Sequence, residues 1–351
     1  MYDRNDSLYT RNASSTNNRM IKISNVDIMI NYKPIIKLLS VLTLFIFINN
    51  SSIPDSEPQK LQAGSLVAWG YDSDGQVSNL PAGNDFIDVA AGDKYSLALR
   101  KDGSLVAWGG DLQGQVSDAP EGSDFIAISA GPSHSLALRQ DGSIVSWGSD
   151  GGYKIALEVG RGSGQVSGTP VNGNFIAISA GGTHNLALRN DGTLVAWGTD
   201  LNNQVSDTPR EDNFIAISAG RFHNLAMRED GTLVAWGTDM LGSVDDTPVD
   251  ESFEAIAAGA RHNIALRKDG TLYAWGWDLR DQVSDTPDDN GYVDMTVGYT
   301  HSIARKDDGS IVAWGRDRMD SAQVSGTPVE DGFIKVSAGS LHNLAIRKNE
   351  P

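Results

Sequence analysis

The sequence predicts an all-β protein: a seven-bladed β-propeller of four-stranded antiparallel blades, with the ring closed by pairing N-terminal and C-terminal strands. Three series carry this prediction. Trp69, Trp108, Trp147, Trp197, Trp236, Trp275 and Trp314 each precede a glycine, at steps of 39, 39, 50, 39, 39 and 39 residues. Phe86, Phe125, Phe175, Phe214, Phe253 and Tyr292 each stand 22 residues before one of the later tryptophans, and Phe333 adds a seventh copy. Tyr95, His134, His184, His223, His262, His301 and His342 each follow their aromatic by nine residues. Repeats of this length mark solenoids and propellers.

One copy reads FIAISAG (125–131), HSLALR (134–139), Asp141-Gly142 and SIVSWG (143–148). Short apolar and β-branched pieces bounded by Gly, Asp or Pro read as strands, and none is long enough for an ordinary helix. Both alternating positions are apolar or small, as in LVAW at 194–197, which fits sheets covered on both faces. The Asp-Gly between the second and third pieces is a hairpin signal. A short piece such as QVS at 115–117 is expected to add a fourth strand, and linkers such as 207–213 are expected to step between blades. On this division the chain starts with the third and fourth pieces of a blade (66–70, 76–78) and ends with its first and second (333–339, 342–347). Closing that split blade protects otherwise open sheet edges. The single step of 50 places an insertion around 151–164.

Residues 1–60 lack the repeat and are expected to form a leader, with the propeller over 61–351. Lys33 and Lys37 precede an apolar run at 38–48 and a polar exit at 49–52. That order matches a signal peptide. The run is shorter than the roughly 20 residues of a membrane span, and an uncleaved signal anchor is the other form it takes. The expectation is a secreted, periplasmic or cell-surface protein that meets a membrane only through this segment.

The net charge is −17 and there is no cysteine. Disulfides, thiolate metal sites and a cysteine nucleophile are excluded. So is nucleic acid as a partner, because phosphate neutralisation needs clustered Lys and Arg.

All six histidines occupy the repeat position. A sevenfold circle spreads imidazoles too widely for tetrahedral metal binding, so His134, His184, His223, His262, His301 and His342 are read as structural, as are the seven tryptophans; no metal or cofactor is expected. Trp277 stands outside the series in a loop after the third piece. Asp72-Ser73-Asp74-Gly75 resembles part of a calcium loop but lacks its spacing and closing Glu. No Gly-x-Ser-x-Gly elbow, His-Glu-x-x-His or Walker loop occurs, so no catalytic residue is assigned and the protein is read as a non-enzyme. An enzyme working through loop carboxylates is a competing reading.

The unit Gly-x-x-His-Ser/Asn-Leu-Ala-Leu-Arg-x-Asp-Gly-Ser/Thr-Leu-Val-Ala-Trp-Gly-x-Asp-x-x-x-Gln-Val, running over about 64–347, resembles the regulator of chromosome condensation repeat. The resemblance implies a seven-bladed propeller with shared closure. The compact unit is most similar to the family's bacterial short-repeat branch, which includes a secreted β-lactamase inhibitor that binds its enzyme with one propeller face. The family's founder is a nuclear exchange factor for a small GTPase that binds nucleosomes. The short repeats, export signal and acidity depart from it.

An up-and-down meander puts the loops between the first and second strands and those after the third on one face. There the copies differ most, and repeat geometry cannot require residues that other copies lack. Tyr71, Tyr153 (in the insertion), Arg221, Phe222, Arg261, Trp277, Arg280, Tyr299, Arg316 and Arg318 are therefore the candidate partner-binding residues, with Asp93 and Lys94 nearby in the same class of loop. Aromatic and Arg side chains are common interface anchors. The sequence thus predicts a monomeric, non-catalytic module that binds a protein through this face. Its alternatives are a carbohydrate-binding propeller and an exchange-factor-like regulator of a small GTPase.

Overall fold

A computed structural model describes residues 18–23, 26–31, 62–151, 164–318 and 321–349. The chain divides into two compact units, Met1–Ile46 and Phe47–Pro351. In the first, Asn18–Ile23 and Val26–Asn31 form an antiparallel hairpin. The apolar run at 38–48 lies outside the described residues, as do residues 152–163, including Tyr153.

In the second unit, every regular element among the described residues is a strand. Five separate three-stranded sheets repeat one antiparallel order, for example Phe175–Ala180, His184–Arg189 and Leu194–Gly198. A six-stranded sheet holds two further copies. One is Phe86–Ala91, Tyr95–Arg100 and Leu105–Gly109; the other combines Phe333–Ala338 and His342–Lys348 with Gly64–Gly70. The chain's first repeat strand thus pairs beside its last, in the register His342↔Gly70, Asn343↔Trp69 and Leu344↔Ala68. A single pair, Gly64↔Phe86, joins these two copies.

The register follows from the sequence pattern. In six copies the middle strand, such as HNLALR at 184–189, is buried at five successive positions, and His301–Lys306 is buried at four. Only a strand covered on both faces tolerates such a run of Leu and Ala. The Asp-Gly turn behaves likewise: Asp191 Oδ1 accepts from the Thr193 N–H (3.0 Å) and hydroxyl (2.7 Å), and Gly192 takes φ 87°, which glycine adopts without a Cβ penalty.

Neighbouring copies share their cores. Leu186, Leu188 and Leu194 of one copy pack with Phe214, Ala226 and Trp236 of the next. Across the junction of the chain's two ends, Leu66, Leu344 and Ile346 pack with Phe86, Val89 and Trp108. One copy departs from the pattern. Arg305 stands where its counterparts in the other copies are Leu, Met or Ile, and its Nε lies 3.9 Å from the buried Asp294 carboxylate.

The expected fourth strand does not form; the blades are three-stranded. The segment around Gln115-Val116-Ser117 is a turn, and so are its counterparts. An aspartate explains why. Asp111 Oδ1 accepts the N–H groups of Val116 (2.8 Å) and Ser117 (3.0 Å), and Asp118 N–H bonds back to Gly114 O. Asp72, Asp150, Asp200, Asp239 and Asp278 do the same to their own turns. Backbone donors captured in this way are lost to a sheet ladder. Asp72, in the segment resembling a calcium loop, spends its carboxylate here. Asp200→Ala removes two such bonds (2.8 and 3.0 Å), and by analogy with helix N-caps it is expected to lower unfolding stability by about 1–2 kcal/mol, as a urea titration would show.

Candidate functional site

The turns also anchor the tryptophans. Trp108 Nε1 donates to Gln76 O (3.0 Å), Trp197 to Gln165 O (3.1 Å) and Trp314 to Gln282 O (3.0 Å). Trp69, Trp147 and Trp236 make the same bond. In the copy where Ser243 replaces the glutamine, the indole N–H of Trp275 has no partner among the described residues.

The histidines form a belt from copy to copy. His134 Nε2 bonds Asn185 Oδ1 (2.6 Å), His184 bonds Asn224 (2.7 Å), His223 bonds Asn263 (2.6 Å), and His262 bonds Ser302 Oγ (2.9 Å). His301 bonds Asn343 (2.7 Å), His342 returns to Ser96 Oγ (3.0 Å), and Tyr95 supplies the remaining link to Ser135 Oγ (2.8 Å). The asparagine amides donate in turn to the turn carbonyls, Asn185 to Gln165 O (2.8 Å) and Asn343 to Gln323 O (2.8 Å). Asparagine Oδ1 can only accept, so the imidazoles facing asparagine carry their proton on Nε2. The Nδ1 atoms are buried without a partner among the described residues. Burial pushes His134, His184, His301 and His342 down to about 4 and His262 to about 3, and lowers His223 as well.

At one end of the copies, the loop between the first and second strands is tied to the residue after the third. Trp277 N–H donates to Arg261 O (3.0 Å), Thr238 N–H to Phe222 O (2.9 Å), Arg316 N–H to Thr300 O (3.3 Å) and Tyr71 N–H to Leu341 O (2.8 Å). These loops therefore share an end. The first-strand loops line a cavity of about 100 Å³ whose walls are mostly Gly and Ala, such as Ala130-Gly131, Ala219-Gly220 and Ala338-Gly339. The glycines permit close approach: a Cβ at Gly220 would stand 2.6 Å from Gly259 O, and one at Gly339 would stand 2.4 Å from Gly92 O.

Around this cavity the candidate residues fall into groups. The Arg221 guanidinium carbon lies 5.6 Å from the Phe222 ring centroid and 5.1 Å from that of Tyr299; the Arg318 carbon lies 5.2 Å from the Tyr299 centroid. Arg261 lies over Trp277 at 5.1 Å. Arg316 pairs with Asp281 at 2.6 Å. Tyr71 and Arg280 belong to the same class of loop without joining these groups among the described contacts. Tyr153 lies outside the described residues.

Ser340, Leu112, Leu201 and Leu279 at this end were not singled out from the sequence. Ser340 donates its hydroxyl to Asp93 at the cavity. Burial pushes the Asp93 carboxyl up, opposed by the Ser340 bond and the nearby charges of Arg221, Lys94 and Arg318. Leu112, Leu201, Leu241 and Leu279, each in a loop after a third strand, are 69–89% exposed. Their recurrence after the capping aspartate is a signal the sequence carries, since a repeat that buries its other leucines leaves these outside.

The repeated three-stranded sheets, their shared cores and the belt between copies define an all-β repeat protein of the propeller class. Residues 86–115, 125–153, 175–204, 214–239 and 253–282 match the Regulator of chromosome condensation (RCC1) repeat, and the chain is an RCC1-repeat protein. Its fold is similar to that of Prp20p from Saccharomyces cerevisiae, at 19% identity over 83% of this chain and 93% of that one, with a TM-score of 0.67. Yeast RCC1 (Prp20) in its complex with Kap60 is similar at 17% identity, covering 87% and 96%, with a TM-score of 0.65. The ectodomain of the receptor kinase CR4 from Physcomitrella patens is similar at 22% identity, covering 72% and 68%, with a TM-score of 0.57. At these identities the likeness speaks for the fold. Comparison with curated proteins finds no match.

Proposed function

We propose that this chain is a seven-bladed, ring-closed propeller that acts without catalysis, binding a protein partner through the end that carries the cavity. The observation that carries this reading is the placement of the non-repeated side chains. Arg221, Phe222, Tyr299 and Arg318 meet in one group, and Arg261 and Trp277 meet beside Trp277's own repeat copy, all at the end to which the loops are tied. Rigid strands below hold them, and aromatic and Arg side chains are favoured binding anchors. Ring closure is supported by the His342–Ser96 bond and by the pairing of His342–Lys348 with Gly64–Gly70. A protein partner is in keeping with the relatives: Prp20p is described as binding Gsp1p and histones, and yeast RCC1 is found bound to Kap60. Export is part of the proposal and rests on the basic-flanked apolar run at 38–48. On this reading the protein meets its partner outside the cytoplasm or at the cell surface.

The test is affinity capture from the native secretome and cell-surface extract with the full chain, repeated with Phe222→Ala, Trp277→Ala and Arg316→Ala. Loss of at least about tenfold in captured partner is expected for one or more of the three, as for interface anchors worth 1–2 kcal/mol or more. Unchanged capture by all three variants removes this end as the binding face.

A further inference from the structure

Among the aspartates of the loops at the cavity end stand Lys94, Arg221, Arg261, Arg280, Arg316 and Arg318. Two of these are already satisfied, Lys94 by Asp74 (3.4 Å) and Arg316 by Asp281 (2.6 Å). None of the ion pairs among the described residues includes Arg221, Arg261 or Arg318. All three lie over aromatic rings instead. A guanidinium that lies over a ring and spends no N–H on an ion pair has its fork available to a planar acceptor, and the acceptor that matches two parallel N–H bonds is a carboxylate.

We propose that the mouth of the cavity is a carboxylate subsite: Arg221 and Arg318, held over Tyr299, receive an aspartate or glutamate side chain projecting from an acidic segment of the partner protein. This rests on the reading of the cavity end as the binding face. A side chain is favoured over a free small molecule by size. The cavity of about 100 Å³ is smaller than the roughly 150 Å³ that accommodates benzene, and far below the roughly 300 Å³ at which ligand pockets begin. Its Gly and Ala walls offer no broad apolar surface to hold a ligand body.

Asp93 occupies the position of a resident competitor. It lines the cavity, is held by the Ser340 hydroxyl and lies within the field of Arg221 and Arg318. An incoming carboxylate is repelled by it and shares the same guanidiniums. Removing its charge while keeping its shape should therefore strengthen binding, a gain that general damage to the loops would not produce.

The experiment measures fluorescence anisotropy of labelled hexaglutamate and hexaglutamine peptides against the full chain at low salt. The wild-type chain is expected to bind hexaglutamate at least about tenfold more tightly than hexaglutamine, the size expected of a hydrogen bond to a charged group. R221Q/R318Q is expected to erase that preference, and D93N to raise hexaglutamate affinity about threefold. R210Q, which changes an exposed residue in a linker between copies, should leave affinity unchanged. If R221Q/R318Q loses its near-UV circular dichroism, R221K/R318K replaces it; charge without the planar fork is expected to bind about threefold more weakly. Equal binding of the two peptides, unchanged affinity in the Arg variants, or weaker binding by D93N overturns the proposal. Partner capture separates the two readings: capture lost with Phe222→Ala or Trp277→Ala but kept with R221Q/R318Q leaves the face and removes the carboxylate subsite.

Discussion

Lowering the pH from 6.5 toward 4 is expected to unfold the repeat body cooperatively. His134, His184, His301 and His342 stay neutral in the folded chain down to about 4, and His262 to about 3, whereas the ordinary value is 6.5. Below pH 6.5 the unfolded chain takes up protons that the folded chain refuses, so stability is intact above 6.5 and declines as pH falls through this window. Each refused proton costs about 1.4 kcal/mol per pH unit. Several acting together remove a large part of the ~5–15 kcal/mol that holds a typical domain. The folded chain refuses them because protonation would place a cation in the core with a buried Nδ1 that has no acceptor among the described residues.

The measurement is tryptophan fluorescence and near-UV circular dichroism against pH. His262→Tyr sharpens it. Tyr95 already fills this repeat position and bonds a serine hydroxyl, and the acceptor opposite His262 is likewise a serine, Ser302. The variant is expected to fold, to unfold at lower pH, and to take up about one proton fewer on unfolding at pH 5. A native spectrum retained by the wild-type chain at pH 3.5 would contradict the buried, neutral assignment.

The second large effect concerns the chain's end. Stopping the chain after Ala338 removes His342–Lys348, the strand between Phe333–Ala338 and Gly64–Gly70. Leu344, Ala345 and Ile346 in it are fully buried. Each large aliphatic lost from a core costs about 2–5 kcal/mol, and the two flanking strands lose their ladder partners as well. The His342–Ser96 link and the acceptor of His301, Asn343, go with them. The truncated chain is expected to show no cooperative melt by scanning calorimetry. A melting temperature within a few degrees of the full chain would mean that the two ends do not depend on one another.

Much of the fold can be read from the sequence because each copy states the same rule again. Strand limits, the Asp-Gly turn and the split copy at 64–70 and 333–348 follow from apolar runs punctuated by Gly and Asp. The fourth strand was misread for a local reason. Gln-Val-Ser has strand composition, but the aspartate five residues before the valine captures the very N–H groups a ladder would need. A side chain competing for backbone donors is invisible to periodicity.

The candidate site was legible in part. Comparing copies picks out Arg221, Trp277 and Tyr299, because the repeat does not need them. Their grouping was not legible: Arg221 reaches the ring of Tyr299, 78 positions along the sequence. That contact depends on how far the intervening copies turn the chain. Ser340 was missed because serine in a loop has no distinguishing mark until its partner, Asp93, is placed beside it.

The belt has a consequence for how such a chain could change length. Each copy contributes one donor, the histidine or Tyr95, and one acceptor, the Asn or Ser of the following position. Duplicating or deleting an entire copy leaves that tally even, so every imidazole still finds an amide or hydroxyl. Gaining or losing a fraction of a copy strands a polar group in the interior. Whole-copy changes in length are thus the ones the hydrogen-bond arithmetic tolerates.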